Sequence, residues 1–323
     1  PMTNSTELDL CLIGVGSMGR NHARVIAQHP RTKLSMVIDP DEETGRAVAA
    51  QYGAEWAPVL ERPENFAATV IATPTEYHFD VAAQVIDQGV PLLVEKPLCP
   101  SYEQTKTLVD KAEKRDTPLM CGLLERFNPA FMVARSMVDA PLLVRAERHS
   151  PYASRIKTGV GWDLLVHDVD LVVQLFDNQA PADLNSVVGQ YHPESVPGAE
   201  DVVECSLRFA GGQVATVSAS RISQRKVRTM RIQEVDRLVE IDLIQRSVTS
   251  YRHRSFEEIF EHGVGFRQHT EIEVPEVFGN EPLVTQLSHF VNLIEGQADA
   301  TRERAGMLPA HAIVEDVLSK ASG

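Results

Sequence analysis

Over its first 125 residues the chain alternates short apolar runs with segments whose apolar residues recur at helical spacing. Five runs are apolar almost throughout, as expected of strands that helices cover on both faces. They are LDLCLI from Leu8, LSMVI from Leu34, TVIAT from Thr69, LLVE from Leu92 and LMCGL from Leu119. Such an alternation predicts βαβ units, which build a parallel sheet.

The pattern changes after about residue 140, where runs of alternating apolar and polar residues follow one another across short turns. This spacing predicts a mainly antiparallel sheet. The runs are LLVRAERHS from Leu142, VVECSLRF from Val202, QVATVSAS from Gln213, VRTMRIQE from Val227 and RLVEIDLI from Arg237. Near the end, PLVTQLSHFVNLIEG has helical spacing and stops at Gly296. We therefore predict an α/β domain over residues 1–125 and an α+β domain with an open sheet over residues 126–323.

The charge of the chain limits its partners. The 323 residues carry 31 Lys and Arg against 45 Asp and Glu, a formal net charge of −14. Nucleic acids and anionic membranes would repel such a chain at long range, so we expect neither as a partner. No stretch approaches the ~20 apolar residues of a membrane-spanning helix. One basic cluster is either a solvated face of a strand pair, or an anion site or subunit contact; it comprises Arg221, Arg225, Lys226, Arg228 and Arg231.

The four cysteines, Cys11, Cys99, Cys121 and Cys205, are scattered along the chain, and three of them lie within apolar runs. Their spacing is not that of metal ligands, so we predict no metal site. Reduced thiols in a hydrophobic core are typical of a cytoplasmic protein, which is the location that we expect.

A glycine-rich segment, GVGSMG, directly follows the first predicted strand and opens a helix. Gly14, Gly16 and Gly19 have the G-x-G-x-x-G spacing, which allows a tight turn, close approach of backbone to pyrophosphate, and close helix–strand packing. The helix N-terminus then offers N–H groups and a positive dipole to the phosphates. With Ser17 and Met18 of the same segment, these glycines predict the dinucleotide site of a Rossmann domain.

The second predicted strand ends in Asp39, twenty residues beyond Gly19. A carboxylate at that strand end accepts hydrogen bonds from the adenosine ribose hydroxyls and repels the 2′-phosphate of NADP. The next four residues include no Arg or Lys that would bind this phosphate. We therefore predict NAD as the cofactor.

Two further strand ends point to the same crevice, because ligands of open parallel sheets bind outside the carboxyl ends of the strands. Thr73 and Pro74 follow the third run, and we expect them to line the cofactor site. His78 either contacts the ligand or packs within its helix. Glu95 and Lys96 end the fourth run, so we count both as cofactor contacts; Lys96 is either directed into the crevice or a solvated surface lysine.

The segment GVGWDLLVHDVDLVVQLF, from Gly159, is apolar apart from one polar stripe. At about 100° per residue, an α-helix brings four of its side chains close to one line. They are Asp163, His167, Asp170 and Gln174, whereas Asp168 falls off the stripe. This stripe either faces water or carries chemistry, and it contains no Lys or Arg.

Alcohol oxidation would use these residues directly. It needs a base whose pKa lies near neutrality to take the hydroxyl proton as hydride leaves carbon, and His167 is such a group. Asp163, one helical turn earlier, would orient the imidazole or share the substrate hydroxyl. Lys96 would hold the same oxygen and stabilise its developing negative charge.

Together, GVGSMG, the Glu95-Lys96-Pro97 segment and the Asp163-x-x-x-His167 pattern resemble the Gfo/Idh/MocA family of oxidoreductases. The resemblance implies a Rossmann domain followed by an open, mainly antiparallel sheet, and Lys96, Asp163 and His167 as the catalytic group. It also implies a cis peptide before Pro97. The exposed sheet face commonly forms a subunit contact in this family, so we expect a homodimer or homotetramer.

A narrower resemblance concerns the substrate. LLERFNPAF from Leu123 and DLLVHDVD from Asp163 are similar to segments of UDP-N-acetylglucosamine 3-dehydrogenases. This similarity implies that Arg126 and Asn128 contact the substrate and that the sugar 3-hydroxyl is oxidised. Alternatively, Arg126 forms an ion pair between the domains with Glu125 or a C-terminal acid.

We therefore predict an NAD-dependent dehydrogenase acting on a sugar, a nucleotide sugar or a cyclitol, with Lys96, Arg126, Asn128, Asp163 and His167 as substrate contacts. One alternative is a non-catalytic regulator that binds NAD(H) or a sugar. Another is a transferase or epimerase that uses tightly held NAD internally. The presence of Lys96, Asp163 and His167 together argues against the regulator.

Overall fold

A computed structural model describes residues 7–320, and over these residues the chain divides into two units. Unit 1 comprises the described residues up to Leu124 together with Asn280–Ala312. Unit 2 comprises Glu125–Gly279 and the described residues from Ile313 onward.

Unit 1 is built on a six-stranded sheet in which every pairing is parallel, as predicted. Its strands are β1 (Leu8–Ile13), β2 (Thr32–Ile38), β3 (Glu55–Ala57), β4 (Ala68–Ile71), β5 (Leu92–Val94) and β6 (Leu119–Cys121). The sequence did not indicate β3, because three residues are too few to show a pattern. The strand order is β3-β2-β1-β4-β5-β6, the order of a Rossmann domain. The order in which successive strands are added to the sheet changes direction between β1 and β4. Folds of this kind bind ligands at that point.

Four helices connect these strands, and each buries an apolar face. They are α1 (Ser17–Gln28), α2 (Glu42–Tyr52), α3 (His78–Asp87) and α4 (Tyr102–Lys114). The Asp41 carboxylate caps α2 by accepting a hydrogen bond of 3.0 Å from the amide of Thr44. Gly53, with φ +67°, ends the same helix in the left-handed conformation that favours glycine.

Unit 2 contains an eight-stranded sheet and several helical segments. The helices are α5 (Pro129–Met137) and α6 (Val166–Leu175), and a π-helical turn over Gly161–Leu165 precedes α6. The strands are β7 (Leu143–His149), β8 (Asp183–Gly189), β9 (Val202–Arg208), β10 (Val214–Ser220), β11 (Val227–Gln233), β12 (Leu238–Asp242), β13 (Ser247–Phe260) and β14 (Gly263–Glu273). Their order is β14-β13-β12-β11-β7-β10-β9-β8. Only the β7–β10 pairing is parallel among those described, so the predicted mainly antiparallel sheet is confirmed.

Strands β8, β13 and β14 were not predicted. Residues of β14 are exposed on both faces, and so are those of β13 beyond Arg252. Because neither face is buried there, the sequence lacks the alternation of apolar and polar residues that indicates a half-buried strand. In β7, by contrast, Val144 and Ala146 are buried while Arg145 between them is exposed. The alternation that predicted this strand therefore corresponds to one covered face and one open face of the sheet.

The C-terminal helices are α7 (Pro282–Ile294) and α8 (Ala300–Lys320). Helix α7 lies in unit 1, whereas the sequence boundary at residue 125 assigned it to the second domain. An ion pair of 2.7 Å joins Arg24 of α1 to Glu281, and another of 2.7 Å joins Arg31 to Glu295. The boundary between the units falls within α8. Helical spacing predicts that a segment is a helix, but it does not tell to which unit the helix belongs.

All four cysteines are buried, as predicted. Burial raises the pKa of the Cys11, Cys99 and Cys205 thiols to about 12, so these three are protonated at neutral pH. Among the helices of residues 7–320, none has the length and apolar character needed to cross a bilayer.

Candidate functional site

A cavity of about 620 Å³ opens in unit 1 at the carboxyl ends of β1, β2 and β4. Its lining combines apolar side chains with residues of the glycine-rich segment, and it includes Gly14, Gly16, Asp39, Thr73 and Pro74. The structure therefore brings together five of the predicted cofactor residues. Ser17 and Met18 lie beside them in the first turn of α1.

The three glycines have different surroundings. Gly14 has φ +88°, and a Cβ there would lie 2.7 Å from the carbonyl oxygen of Ala72. A Cβ on Gly19 would overlap the carbonyl oxygen of Gly14, so this glycine allows α1 to pack closely on the strand loop. Gly16 is the N-cap of α1 and has open space where a Cβ would be, and no side chain caps the helix there. This arrangement fits a phosphate group, which takes the place of a cap at a helix N-terminus.

Asp39 is fixed at the edge of the cavity by two backbone amides. Its Oδ2 accepts a hydrogen bond of 2.9 Å from the amide of Val15, and its Oδ1 accepts one of 2.9 Å from the amide of Asp41. Each carboxylate oxygen can accept more than one hydrogen bond, so ribose hydroxyls can still bind. Among the described residues that line the cavity there is no Lys, Arg or His. The residues present therefore fit NAD and give no partner to a 2′-phosphate.

His78 is buried in unit 1. Its Nδ1 lies 2.9 Å from the carbonyl oxygen of Pro97, and its Nε2 lies 2.9 Å from that of Thr73. Of the two alternatives open from the sequence, these contacts give His78 a packing role, and its side chain is not part of the cavity lining.

Glu95 and Lys96 follow β5. Glu95 is buried, and its Oε1 accepts a hydrogen bond of 2.7 Å from Nε2 of His22. Its Oε2 accepts one of 3.1 Å from the backbone amide of Lys96. Burial acts to raise the pKa of Glu95, but its interactions with His22 and with Lys96 together hold this pKa below its ordinary value. Lys96 is half-buried, and its peptide bond to Pro97 is cis, as the family resemblance implied.

In unit 2, Asp163 lies within the π-helical turn and His167 lies in the first turn of α6, both half-buried. The sequence placed them on one regular α-helix, which is wrong in this detail. A π turn has more residues per turn than an α-helix, so the spacing of 100° per residue does not apply over Gly161–Leu165. The turn is anchored by Glu200, whose Oε1 accepts a hydrogen bond of 2.7 Å from the amide of Gly161.

Asp170, also assigned to the polar stripe, is buried in an ion pair with Arg126. Nε of Arg126 donates to Oδ2 of Asp170 at 2.7 Å, and its second terminal nitrogen donates to Oδ1 at 2.6 Å. Arg126 therefore does form an ion pair, and Asp170 is a carboxylate partner that the sequence did not name. The parallel geometry of the two hydrogen bonds fixes the guanidinium plane.

Asn128 is buried and caps α5, since its Oδ1 accepts a hydrogen bond of 3.1 Å from the amide of Ala130. Its Nδ2 donates to Oε2 of Glu125 at 3.1 Å and to the carbonyl oxygen of Leu243 at 3.0 Å. Both amide hydrogens are thus used inside unit 2, which leaves none for a substrate. Asn128 therefore has a structural role in unit 2, and the substrate contact predicted for it stays a prediction.

The sequence did not identify a buried ionic cluster next to His167. Arg148, 1% exposed, donates to both oxygens of Asp168 at 2.8 and 2.9 Å and to Oε1 of Glu125 at 2.8 Å. Burial acts to lower the pKa of Arg148, but the Coulomb attraction of Asp168 and Glu125 raises it above its ordinary value. Arg228 of β11 lies 3.5 Å from the same Glu125 oxygen. The signal was present, since Arg148 falls on the buried side of the β7 alternation.

The predicted basic cluster is not one surface. Arg221 is buried beside Asp201 at 3.6 Å, and Arg228 belongs to the ionic cluster just described. Arg231 lies on the open face of the sheet. Arg225 and Lys226 are exposed in the loop before β11. Neither interpretation offered by the sequence therefore describes all five residues.

Comparison with known proteins matches both parts of the chain to one family. Residues 8–123 match the family described as "Oxidoreductase family, NAD-binding Rossmann fold". Residues 133–233 match the "GFO/IDH/MocA C-terminal domain".

Individual relatives carry related names. The UDP-N-acetylglucosamine 3-dehydrogenase of Acidithiobacillus ferrooxidans is 31% identical over 243 residues, which cover 74% of this chain and 75% of that protein. The scyllo-inositol 2-dehydrogenase (NAD(+)) of Bacillus subtilis is 28% identical and covers 93% of this chain and 95% of its own length. A solved structure of the A. ferrooxidans enzyme superposes with a TM-score of 0.82 at 27% identity, covering 97% of this chain and 99% of that chain.

Proposed function

Because this chain belongs to the Gfo/Idh/MocA family of NAD-binding oxidoreductases, we propose that it oxidises a secondary hydroxyl of a sugar, nucleotide sugar or cyclitol. The observation that carries the proposal is that one chain combines an Asp39-edged dinucleotide cavity with all three residue types needed for the proton and oxygen chemistry. These residues are Lys96, Asp163 and His167. NAD, when bound, supplies the hydride acceptor.

The proposed roles follow from the chemistry of each side chain. His167 takes the hydroxyl proton, because a neutral imidazole is a base near neutral pH. Asp163, in the turn that leads into α6, orients that imidazole and stabilises its protonated form. The ammonium of Lys96 stabilises the oxygen as it becomes negative. Gly14, Gly16 and Gly19 leave room for the cofactor pyrophosphate.

For the substrate, we propose a nucleotide sugar similar to UDP-N-acetylglucosamine, oxidised at the 3-hydroxyl. The support is the similarity of residues 123–131 and 163–170 to segments of such enzymes, together with the A. ferrooxidans relative at 31% identity. Arg126 is retained as a proposed substrate contact, because Asp170 holds its guanidinium in a fixed plane. Free cyclitols are the next class to test, since the B. subtilis relative acts on one by its name.

We also propose that the open face of the unit 2 sheet forms a contact between copies of this chain. Exposed polar side chains such as Arg145, Glu147 and Thr216 occupy this face, and it has no covering helix among the described residues. Light scattering coupled to gel filtration tests this point. A monomer at micromolar concentration would contradict it.

A substrate screen tests the function. Purified protein with NAD is incubated with UDP-N-acetylglucosamine, inositols and free hexoses while NADH absorbance is followed. We expect NADH to form with at least one nucleotide sugar, and a Lys96→Met variant to lose this activity. Tight NADH binding without turnover of any compound would contradict the proposal and favour a regulatory protein.

A further inference from the structure

Three buried histidines hold the loop that contains Lys96. This loop, residues 95–99 and here called the lysine loop, leaves β5 and includes the cis peptide before Pro97. The histidines all belong to unit 1 and come from three different helices: His22 from α1, His78 from the start of α3 and His311 from α8. Their exposures are 2%, 1% and 0%. Each contacts a different residue of the loop.

His22 contacts the first residue of the loop. Its Nε2 donates to Oε1 of Glu95 at 2.7 Å, and the other carboxylate oxygen accepts the backbone amide of Lys96 at 3.1 Å. One carboxylate therefore connects α1, which starts at the glycine-rich segment, to the backbone of Lys96. The space around Glu95 is tight, since a Cβ on Gly122 would lie 3.0 Å from its Oε2.

His78 contacts the third residue of the loop. Its two ring nitrogens lie 2.9 Å from the carbonyl oxygens of Pro97 and Thr73. A carbonyl oxygen only accepts, so a neutral ring donates to one of them and a protonated ring donates to both. Thr73 also lines the dinucleotide cavity, so this ring links the cavity wall to the lysine loop.

His311 contacts the fourth residue, and its tautomer follows from the contacts. Nδ1 lies 2.8 Å from the carbonyl oxygen of Met307 and must donate to it. Nε2 accepts a hydrogen bond of 3.0 Å from the amide of Leu98. A nitrogen that accepts carries no proton, so this ring is neutral and its orientation is fixed.

We propose that His22, His78 and His311 are positioning residues that set the backbone of Lys96, with the His22–Glu95 pair as the principal one. This inference rests on the role of Lys96 in the proposed function. The position of a side-chain ammonium depends on the position of its backbone, and a displacement of about 1 Å costs ~10²-fold in rate. His22 is the principal member because its partner, Glu95, bonds directly to the amide of Lys96.

The kinetic test compares two replacements of His22. Gln keeps a donor N–H at the distance of Nε2, whereas Leu fills similar space without a donor. We expect His22→Leu to lower kcat by about 10- to 100-fold while the Kd for NADH changes by less than about threefold. His22→Gln should recover most of kcat. Equal kcat in His22→Leu and the wild type would overturn the proposal.

His29 provides a matched control. It is also a buried histidine, directly after α1, and it bonds to Ser288 at 3.1 Å instead of the lysine loop. His29→Leu should lower thermal stability but leave kcat unchanged. Loss of kcat in His29→Leu equal to that in His22→Leu would show that general packing, and not positioning, explains the effect.

A second measurement needs neither NAD nor substrate. Lysines are reductively methylated with an isotope label, and the Lys96 signal is assigned by NMR through its absence in Lys96→Arg. We expect this signal to shift in His22→Leu and to return in His22→Gln, and to stay in place in His29→Leu. If the Lys96 signal behaves in this way in the three variants but no substrate is oxidised, the proposed function fails, and the positioning of Lys96 by His22 stands. An unmoved signal in His22→Leu would overturn the positioning itself.

Discussion

Arg148 of β7 holds Asp168 of α6 through two parallel hydrogen bonds of 2.8 and 2.9 Å, and both side chains are almost completely buried. The same guanidinium donates to Glu125 at 2.8 Å. Asp168 is the neighbour of His167 in the chain, and Glu125 is the neighbour of Arg126. One buried arginine therefore fixes the two segments of unit 2 that carry His167 and Arg126, two of the proposed substrate contacts.

Removing this arginine should destabilise the protein strongly. Arg148→Met removes the cation that bonds both oxygens of the buried Asp168 and leaves Glu125 with the more distant Arg228, which costs about 3–5 kcal/mol in the free energy of unfolding. Urea denaturation measures the loss. Arg225→Met, in the exposed loop before β11, is the control and should change stability by less than about 0.5 kcal/mol. Similar changes in unfolding free energy for the two variants would show that the buried ion pair of Arg148 with Asp168 does not stabilise the protein.

Substitutions of two glycines in the glycine-rich segment, Gly16 and Gly19, should have separate effects on NADH binding and on stability. Gly16→Ala meets open space, so stability should be retained, but the methyl group stands where the pyrophosphate approaches and NADH affinity should fall at least about tenfold. Gly19→Ala brings a Cβ onto the carbonyl oxygen of Gly14, so the melting temperature should fall. Fluorescence titration and thermal melting check the pair. Wild-type NADH affinity in Gly16→Ala would contradict a pyrophosphate at that position.

Asp39 should determine the preference for NAD over NADP. Asp39→Ala removes the carboxylate that repels a 2′-phosphate and that bonds ribose hydroxyls. We expect NADH to bind at least about tenfold more weakly and the NADH/NADPH affinity ratio to fall by a similar factor or more. Direct titration with both cofactors measures the ratio. Discrimination equal to that of the wild type would mean that another group contacts the ribose.

The buried carboxylate of Glu95 should make stability fall in acid. Its folded pKa lies below the ordinary value of 4.5, so below that value the unfolded chain binds the proton more readily. The stabilisation is present above the unfolded pKa and is lost as pH falls through the folded pKa. Glu95→Gln cannot titrate, so its unfolding free energy should vary less between pH ~6 and ~3. Identical pH slopes for the variant and the wild type would contradict this assignment.

Local patterns predicted much of the fold and of the cofactor site. The apolar runs became β1, β2, β4, β5 and β6, because a strand covered on both faces is apolar throughout. The glycine-rich segment and Asp39 line one cavity because both follow strand ends on the same edge of the sheet. The short strand β3 was missed, since three residues carry no periodicity.

Contacts between distant residues were not predictable in this way. His22 and Glu95 are 73 residues apart, and Leu98 and His311 are 213 apart, so no local spacing relates them. Asp170 shares a helix with His167 but forms an ion pair with Arg126. Helical spacing can place two polar side chains on one line, but it does not show which partner each of them contacts. A π turn was not foreseen either, since its sequence, GWDLL, has ordinary helical character.

The most direct test concerns His167. With the substrate found in the screen and saturating NAD, the first turnover is followed by NADH absorbance in the wild type, in His167→Asn, and in the control His149→Asn on the open sheet face. We expect His167→Asn to slow NADH formation by ~10²–10⁴-fold with the Kd for NADH nearly unchanged, and His149→Asn to match the wild type. NADH formation at the wild-type rate in His167→Asn would remove this imidazole, and the proton transfer assigned to it, from the reaction.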